Sequence, residues 1–168
     1  MRLYLIRHAH AVTEEENPSR PLSPQGRADT ALLAAWLRAN RALDPSQFWH
    51  SPLKRSRETA TILSRALNPN RMMLETSGLL PEDDPAEIAE RLETLPPGTH
   101  LAIVGHEPHL SALATLLVRG KPKPSAFKLK KGAIITLESS GDSHKRTGRP
   151  RWRICWHITP ELLPPSAS

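Results

Sequence analysis

Two short apolar runs in this chain end in residues suited to chemistry at phosphorus. Leu3-Tyr4-Leu5-Ile6 runs into Arg7-His8, and Leu101-Ala102-Ile103-Val104 runs into Gly105-His106. Between them lies a third run, Gln47–Ser51. The Ser51-Pro52 step after it opens a helix whose first turn presents Arg55. If the three runs are neighbouring strands, two imidazoles and two guanidiniums meet at one rim of a sheet. Guanidinium forks match the paired oxygens of a phosphate and stay charged at any biological pH. A neutral imidazole can attack phosphorus once its tautomer is fixed, and nearby arginines keep it neutral by lowering its pKa. The same arginines offset charge on the equatorial oxygens during transfer, so this set requires no metal or other cofactor. The candidates are therefore His8 and His106 as catalytic residues, with Arg7 and Arg55 as phosphate-binding residues.

The elements that must position these residues alternate. Arg2–Arg7 is a strand of the continuous apolar kind that is buried on both faces. Ser23-Pro24 starts a helix, Ser at the cap and Pro at the first position, running to about Arg41. Its apolar face is Ala28, Leu32, Ala35, Trp36 and Ala39. The Ser51-Pro52 helix runs to about Leu67 with Ala60, Leu63 and Leu67 buried. Met72–Glu75 is a brief strand, Asp84-Pro85 opens a helix to about Leu95, and Pro108–Val118 is another. Strands follow: Ala126–Lys130, Ala133–Glu138, then Arg151–Thr159 beyond a Ser139–Pro150 loop. In the last strand Trp152, Ile154, Trp156 and Ile158 share a face. This order predicts an α/β three-layer sandwich, a mostly parallel sheet with helices on both faces and ligands at the carboxyl ends of its strands.

Length and composition set the bounds. At 168 residues, 38% hydrophobic and 24% charged, the chain fits one domain over 1–160, with 161–168 a frayed tail. One cysteine, Cys155, makes no internal disulfide, and no stretch is long or apolar enough for a signal peptide or membrane span, so a cytoplasmic protein is expected. The net charge is +6, and ten Lys and Arg crowd Lys121 to Arg153, against Glu138, Asp142 and Glu161 in the last third. Such a surface steers anionic partners, though a solvated face is the simpler reading. No basic sheet interleaved with aromatics and no helix-turn-helix pattern supports nucleic acid.

The motifs resemble those of the histidine phosphatase, or phosphoglycerate mutase-like, superfamily. Leu5-Ile6-Arg7-His8-Ala9 is similar to its Arg-His-Gly signature, with Ala9 in place of Gly. Ser51-Pro52-Leu53-Lys54-Arg55-Ser56-Arg57-Glu58-Thr59-Ala60 resembles its second motif. Val104-Gly105-His106-Glu107-Pro108-His109-Leu110 resembles its third, and Pro21 to Arg27 the opening of its first helix. The resemblance implies that His8 is the phosphorylated nucleophile and that Arg7, Arg55 and His106 bind the phosphoryl group. The short length and Ala11 resemble the SixA-type phosphohistidine phosphatases. Larger relatives insert a helical lid where this chain has only Leu79 to Gly98, so an open pocket is expected. An open pocket suits a phosphorylated histidine-carrier protein better than a small phosphorylated metabolite. For the general acid the candidates are Glu82, Asp83 and His10, with Asp84 and Glu14 to Glu16 further afield.

Two other classes compete. His8-Ala9-His10 with His106-x-x-His109 could chelate a metal ion in a metal-dependent hydrolase. The barrel that usually carries such a motif needs about 250 residues. Alternatively, the pocket binds phosphate without turning it over.

Overall fold

In the computed structural model, residues 1–143 and 148–163 are described. They form β1 (Arg2–Arg7), α1 (Pro24–Ala39), β2 (Gln47–His50), α2 (Lys54–Leu67), β3 (Met72–Glu75), α3 (Pro85–Glu93), β4 (His100–Gly105), α4 (His109–Arg119), β5 (Ile134–Ser143) and β6 (Pro150–Ile158). The six-stranded sheet has the order β3-β2-β4-β1-β5-β6. β3, β2, β4 and β1 are parallel, and β5 and β6 add two antiparallel strands.

Alternation along the central strands divides the core. Leu3, Leu5, Trp49, Leu101, Ile103, Ile135 and Leu137 point to the face covered by α3 and α4. Tyr4, Ile6, Phe48, Ala102, Val104 and Ile134 point to the face covered by α1 and α2. Both faces are apolar because both are covered, which is why β1 and β4 carry unbroken hydrophobic runs. A fully buried side chain such as Ile103 is worth about 2–5 kcal/mol against truncation to Ala.

Register then fixes the rim. Arg7 pairs with Gly105, and His50 pairs with Val104. The residues that follow these pairs, His8, His106 and Ser51, therefore leave the sheet side by side at its carboxyl edge.

Several local expectations are corrected. The buried stripe of α1 is Gly26, Thr30, Leu33, Ala34 and Leu37; of the expected face, Leu32 and Trp36 are half-buried against the core, and Ala28, Ala35 and Ala39 are exposed. The helix is turned by its first turn: Gly26 lies against the His10 backbone, where a Cβ would come within 2.0 Å of the His10 carbonyl oxygen. Thr30 Oγ1 donates to the Gly26 carbonyl at 2.6 Å on the same side.

Ala126–Lys130 is not a strand. Its backbone groups bond to side chains instead of a neighbouring strand: the Ala126 N–H to Thr115 Oγ1 at 2.9 Å and the Leu129 N–H to Glu107 Oε1 at 2.9 Å. In β6 a register shift between Thr136 and Leu137 leaves Cys155 without a partner residue. An extra residue reverses the alternation. Trp152 packs on the α3/α4 side, Trp156 and Ile158 on the α1/α2 side, and Ile154 is 41% exposed.

β5 extends to Ser143, shortening the expected Ser139–Pro150 loop; 144–147 lie outside the described residues. Of the C-terminal segment, Pro160–Leu162 form a 3-10 turn and Leu163 packs into the α1/α2 core, while 164–168 lie outside the described residues. No helix among the described residues is long and apolar enough to cross a membrane.

Candidate active site

His8 emerges from β1 between β4 and the turn that precedes β5. Its N–H donates to the Gly105 carbonyl at 3.0 Å, and Gly132 N–H donates to the carbonyls of Arg7 and His8 at 3.1 and 3.2 Å. Gly132 has φ of +75°, and a Cβ there would stand 2.9 Å from Pro160, so only glycine allows this closure. The imidazole is 7% exposed. Its Nδ1 lies 2.7 Å from the Ala9 carbonyl oxygen. A carbonyl accepts only, so Nδ1 carries the proton and Nε2 keeps a lone pair. That lone pair faces Arg55, whose Nε donates to it at 3.3 Å.

Burial is the main force lowering the His8 pKa from 6.5 to about 3. The Ala9 carbonyl opposes the shift, and Arg55, Arg7 and Lys131 add to it. His8 is thus a neutral imidazole at neutral pH, with its tautomer fixed and Nε2 directed at a guanidinium.

Ala9 fits without backbone strain: among the described residues only Arg20 and Arg41 are non-glycine residues with positive φ. Its N–H donates to Thr59 Oγ1 at 3.2 Å. The Gly-to-Ala departure therefore makes no demand for a left-handed conformation.

His106 follows β4 and is 1% exposed, its ring centroid 4.9 Å from that of His8. Burial chiefly, then His8, Arg55, His109 and Arg7, lower its pKa to about 3. Its Nε2 lies 2.6 Å from Ser51 Oγ. Ser51 Oγ also accepts the Leu53 N–H at 3.4 Å, and the other ring nitrogen of His106, Nδ1, is buried and has no partner.

Ser51 is therefore not a helix cap. Leu53 occupies the cap position of α2 without any side-chain bond, and the serine hydroxyl serves the site instead.

Arg55 lies in the first turn of α2. Burial foremost, with Arg20 assisting, lowers its pKa. Arg7, the last residue of β1, donates from Nη1 to the Leu129 carbonyl at 2.8 Å, and its Nε is buried without a partner. The structure thus brings His8, His106, Arg7 and Arg55 together.

The candidate acids make their hydrogen bonds elsewhere, although Asp83 and Asp84 stand near enough to His109 to raise its pKa against the effect of burial. Glu82 is exposed, Asp83 Oδ2 accepts the Leu80 N–H at 2.7 Å, and Asp84 caps α3. His10 is exposed with Nδ1 2.8 Å from Ser23 Oγ. None of them hydrogen-bonds to His8, Arg55 or His106. Glu14, Glu15 and Glu16 are exposed in the first loop. Among the described residues, no three His, Cys, Asp or Glu side chains stand close enough to hold a metal ion.

Sequence reasoning missed Arg20 and Lys131, whose charges act on Arg55 and His8, and Thr59 and Ser51, whose hydroxyls hold Ala9 and His106. No spacing signal marks Arg20 or Lys131, since both sit in loops. Thr59 falls within the second motif, one helical turn after Arg55.

Fold and site together define a phosphoryl-group hydrolase of the α/β class. The model of the histidine phosphatase superfamily (branch 1) matches residues 3–82. An uncharacterised protein of Mycobacterium tuberculosis, Rv1276c, is 32% identical over 128 residues, covering 67% of this chain and 69% of that protein. The chain belongs to the histidine phosphatase superfamily. In fold it is similar to the protein histidine phosphatase SixA solved with tungstate, with TM-score 0.81 at 22% identity, covering 98% of this chain and all of that one. It is also similar in fold to mycobacterial glucosyl-3-phosphoglycerate phosphatase Rv2419c with VO3, with TM-score 0.69 at 17% identity, covering 92% and 97% of the two chains.

Proposed function

We propose that this protein is a SixA-type phosphatase that passes a phosphoryl group through His8 and acts on phosphohistidine carried by another protein. The observation that carries the first half is the His8 ring itself. Nδ1 is tied to the Ala9 carbonyl, so Nε2 holds its lone pair toward the cationic residue best placed to receive a phosphate.

In the first step His8 Nε2 attacks phosphorus and the bond from phosphorus to the leaving group breaks. The leaving nitrogen or oxygen takes a proton from water, and His8 becomes a phosphoimidazole that keeps its Nδ1 proton on the Ala9 carbonyl. In the second, water attacks phosphorus, the P–Nε2 bond breaks, and inorganic phosphate leaves with the neutral imidazole restored. Arg55, Arg7 and His106 are donors for the non-bridging oxygens, and the low local dielectric strengthens each contact. Arg55 donates to Nε2 before substrate enters, so its guanidinium turns to the phosphoryl oxygens as the attack begins.

Two features support a protein phosphohistidine as substrate. Residues 76–84, between β3 and α3, hold no helix, so that segment supplies no helical lid. A phosphoryl group on a protein surface can approach an open rim, whereas a small metabolite gains from enclosure. The second is the absence of a carboxylate bonded to the catalytic group among the described residues. Imidazole leaves with a conjugate-acid pKa of about 6.5, while an alkoxide resembles water at about 15.7. A phosphoramidate therefore makes the smaller demand for a proton donor.

The test is phosphate release from a phosphorylated histidine-carrier domain and from a panel of metabolite phosphates, with His8→Ala as control. Release from the carrier domain that is lost in His8→Ala supports the whole reading. Release confined to metabolites overturns the substrate and keeps the chemistry. Undiminished turnover by His8→Ala overturns the chemistry.

A further inference from the structure

Leu129 spends both of its backbone polar groups on side chains from opposite directions. Its carbonyl accepts from Arg7 Nη1 at 2.8 Å, and its N–H donates to Glu107 Oε1 at 2.9 Å. Glu107 precedes α4 and is held in turn, because Oε1 also accepts from Ser111 Oγ at 2.5 Å, one helical turn along.

Between α4 and β5 the segment that carries Leu129 forms no strand; Gly132 ties its far end to the Arg7 and His8 carbonyls, while the N–H groups of Ala126 and Leu129 are held by Thr115 of α4 and by Glu107 just before it. The Leu129 side chain is fully buried, which fixes the depth of the peptide but not its rotation. Its rotation is set at the two ends, by Glu107 on the N–H and Arg7 on the carbonyl.

A guanidinium binds phosphate through a planar fork, so its usefulness depends on the angle at which it is held. Arg7 has one nitrogen on the Leu129 carbonyl and a buried Nε with no partner. We propose that Glu107 is a positioning residue for the phosphoryl site: it holds the Leu129 peptide so that the Leu129 carbonyl aims the Arg7 fork. Glu107 touches no substrate and acts through one peptide unit. The inference rests on the phosphatase reading above.

The experiment measures inorganic phosphate affinity directly and as a competitive inhibitor of aryl phosphate hydrolysis. The variants are Glu107→Leu, Glu107→Gln, Arg7→Ala and the Glu107→Leu/Arg7→Ala pair. Glu107→Leu weakens phosphate binding and raises KM about tenfold, the effect of losing one hydrogen bond to a charged group, with a smaller change in kcat. Glu107→Gln keeps an acceptor oxygen and recovers most of the loss. In the Arg7→Ala background, Glu107→Leu has no further effect, since the residue through which it acts is gone.

Full phosphate affinity in folded Glu107→Leu overturns the proposal, as does an equal loss in the presence and absence of Arg7. Should Glu107→Leu fail to fold, Ser111→Ala replaces it. That change frees the carboxylate from one donor and gives a smaller loss of affinity, again suppressed by Arg7→Ala; an unsuppressed loss, or none, overturns the proposal. Wild-type protein that neither binds phosphate nor hydrolyses the ester overturns both this inference and the phosphatase reading, whereas turnover with phosphate affinity indifferent to residue 107 removes this inference alone.

Discussion

Arg55 Nε lies 3.3 Å from His8 Nε2, so the cation that would receive the phosphate rests on the atom that would attack it. The same side chain adds to the burial that keeps His8 neutral and stands ready at the position where charge develops. Replacing Arg55 with Ala lowers kcat/KM for an aryl phosphate by about 10²–10³, the range seen when one oxyanion donor is removed. Arg55→Lys does not restore it, because a point charge lacks the fork. Steady-state kinetics on the two variants is the check.

Ser51 is a second, less obvious control point. Its hydroxyl is buried and lies 2.6 Å from His106 Nε2. Without it, His106 has two unpartnered ring nitrogens and no fixed tautomer. Ser51→Ala is expected to lower kcat/KM about tenfold and to cost about 1–3 kcal/mol of stability for the orphaned nitrogen. Ser51→Thr, which keeps the hydroxyl, separates the two effects if kinetics and thermal melts are recorded together.

The two depressed imidazoles make stability depend on pH with a definite sign. Burial chiefly holds His8 and His106 at about 3 in the folded protein, against about 6.5 for a free imidazole. Between these values the unfolded chain binds more protons than the folded one, so stability rises with pH across that window. The contribution is fully present above 6.5 and is lost progressively as pH falls toward 3. Thermal midpoints should therefore drop from pH 7 to pH 4, and more gently in His8→Asn. A wild-type midpoint that is flat over this range would mean the rings are not neutral in the fold.

How much of this was legible in the residues depended on what each one answers to. His8, Arg7, Arg55 and His106 were readable because they follow apolar runs, and a parallel sheet aligns such ends. Ser51-Pro52 opens a helix as its type predicts, but a hydroxyl beside a buried imidazole has a stronger claim on Ser51 than the end of α2. The strand expected over Ala126–Lys130 failed because alternation reports which side chains turn inward. Phe127 and Leu129 do turn inward, yet no strand edge is there to receive the backbone. The rotation of α1 was hidden for a related reason. It is set by the contact of Gly26 with the His10 backbone, a long-range approach that local periodicity cannot register.

The proposed substrate makes its own kinetic demand. Asp83 is engaged by the Leu80 N–H and Glu82 is exposed, so neither is bonded to the site as a proton donor. An enzyme of this kind depends on the leaving group to depart on its own. Across a series of aryl phosphates, log kcat/KM should fall steeply as the leaving-group pKa rises toward that of phenol, about 10. A phosphoimidazole should outrun an alkyl phosphate by several orders of magnitude, since about 9 pKa units separate their leaving groups. A shallow slope would reveal a built proton donor. Glu82→Gln and Asp83→Asn would then locate it: whichever variant restores the steep slope carries the proton. That result would move the reading toward phosphate esters, because a site equipped to protonate an alkoxide gains little from a leaving group that needs no such help.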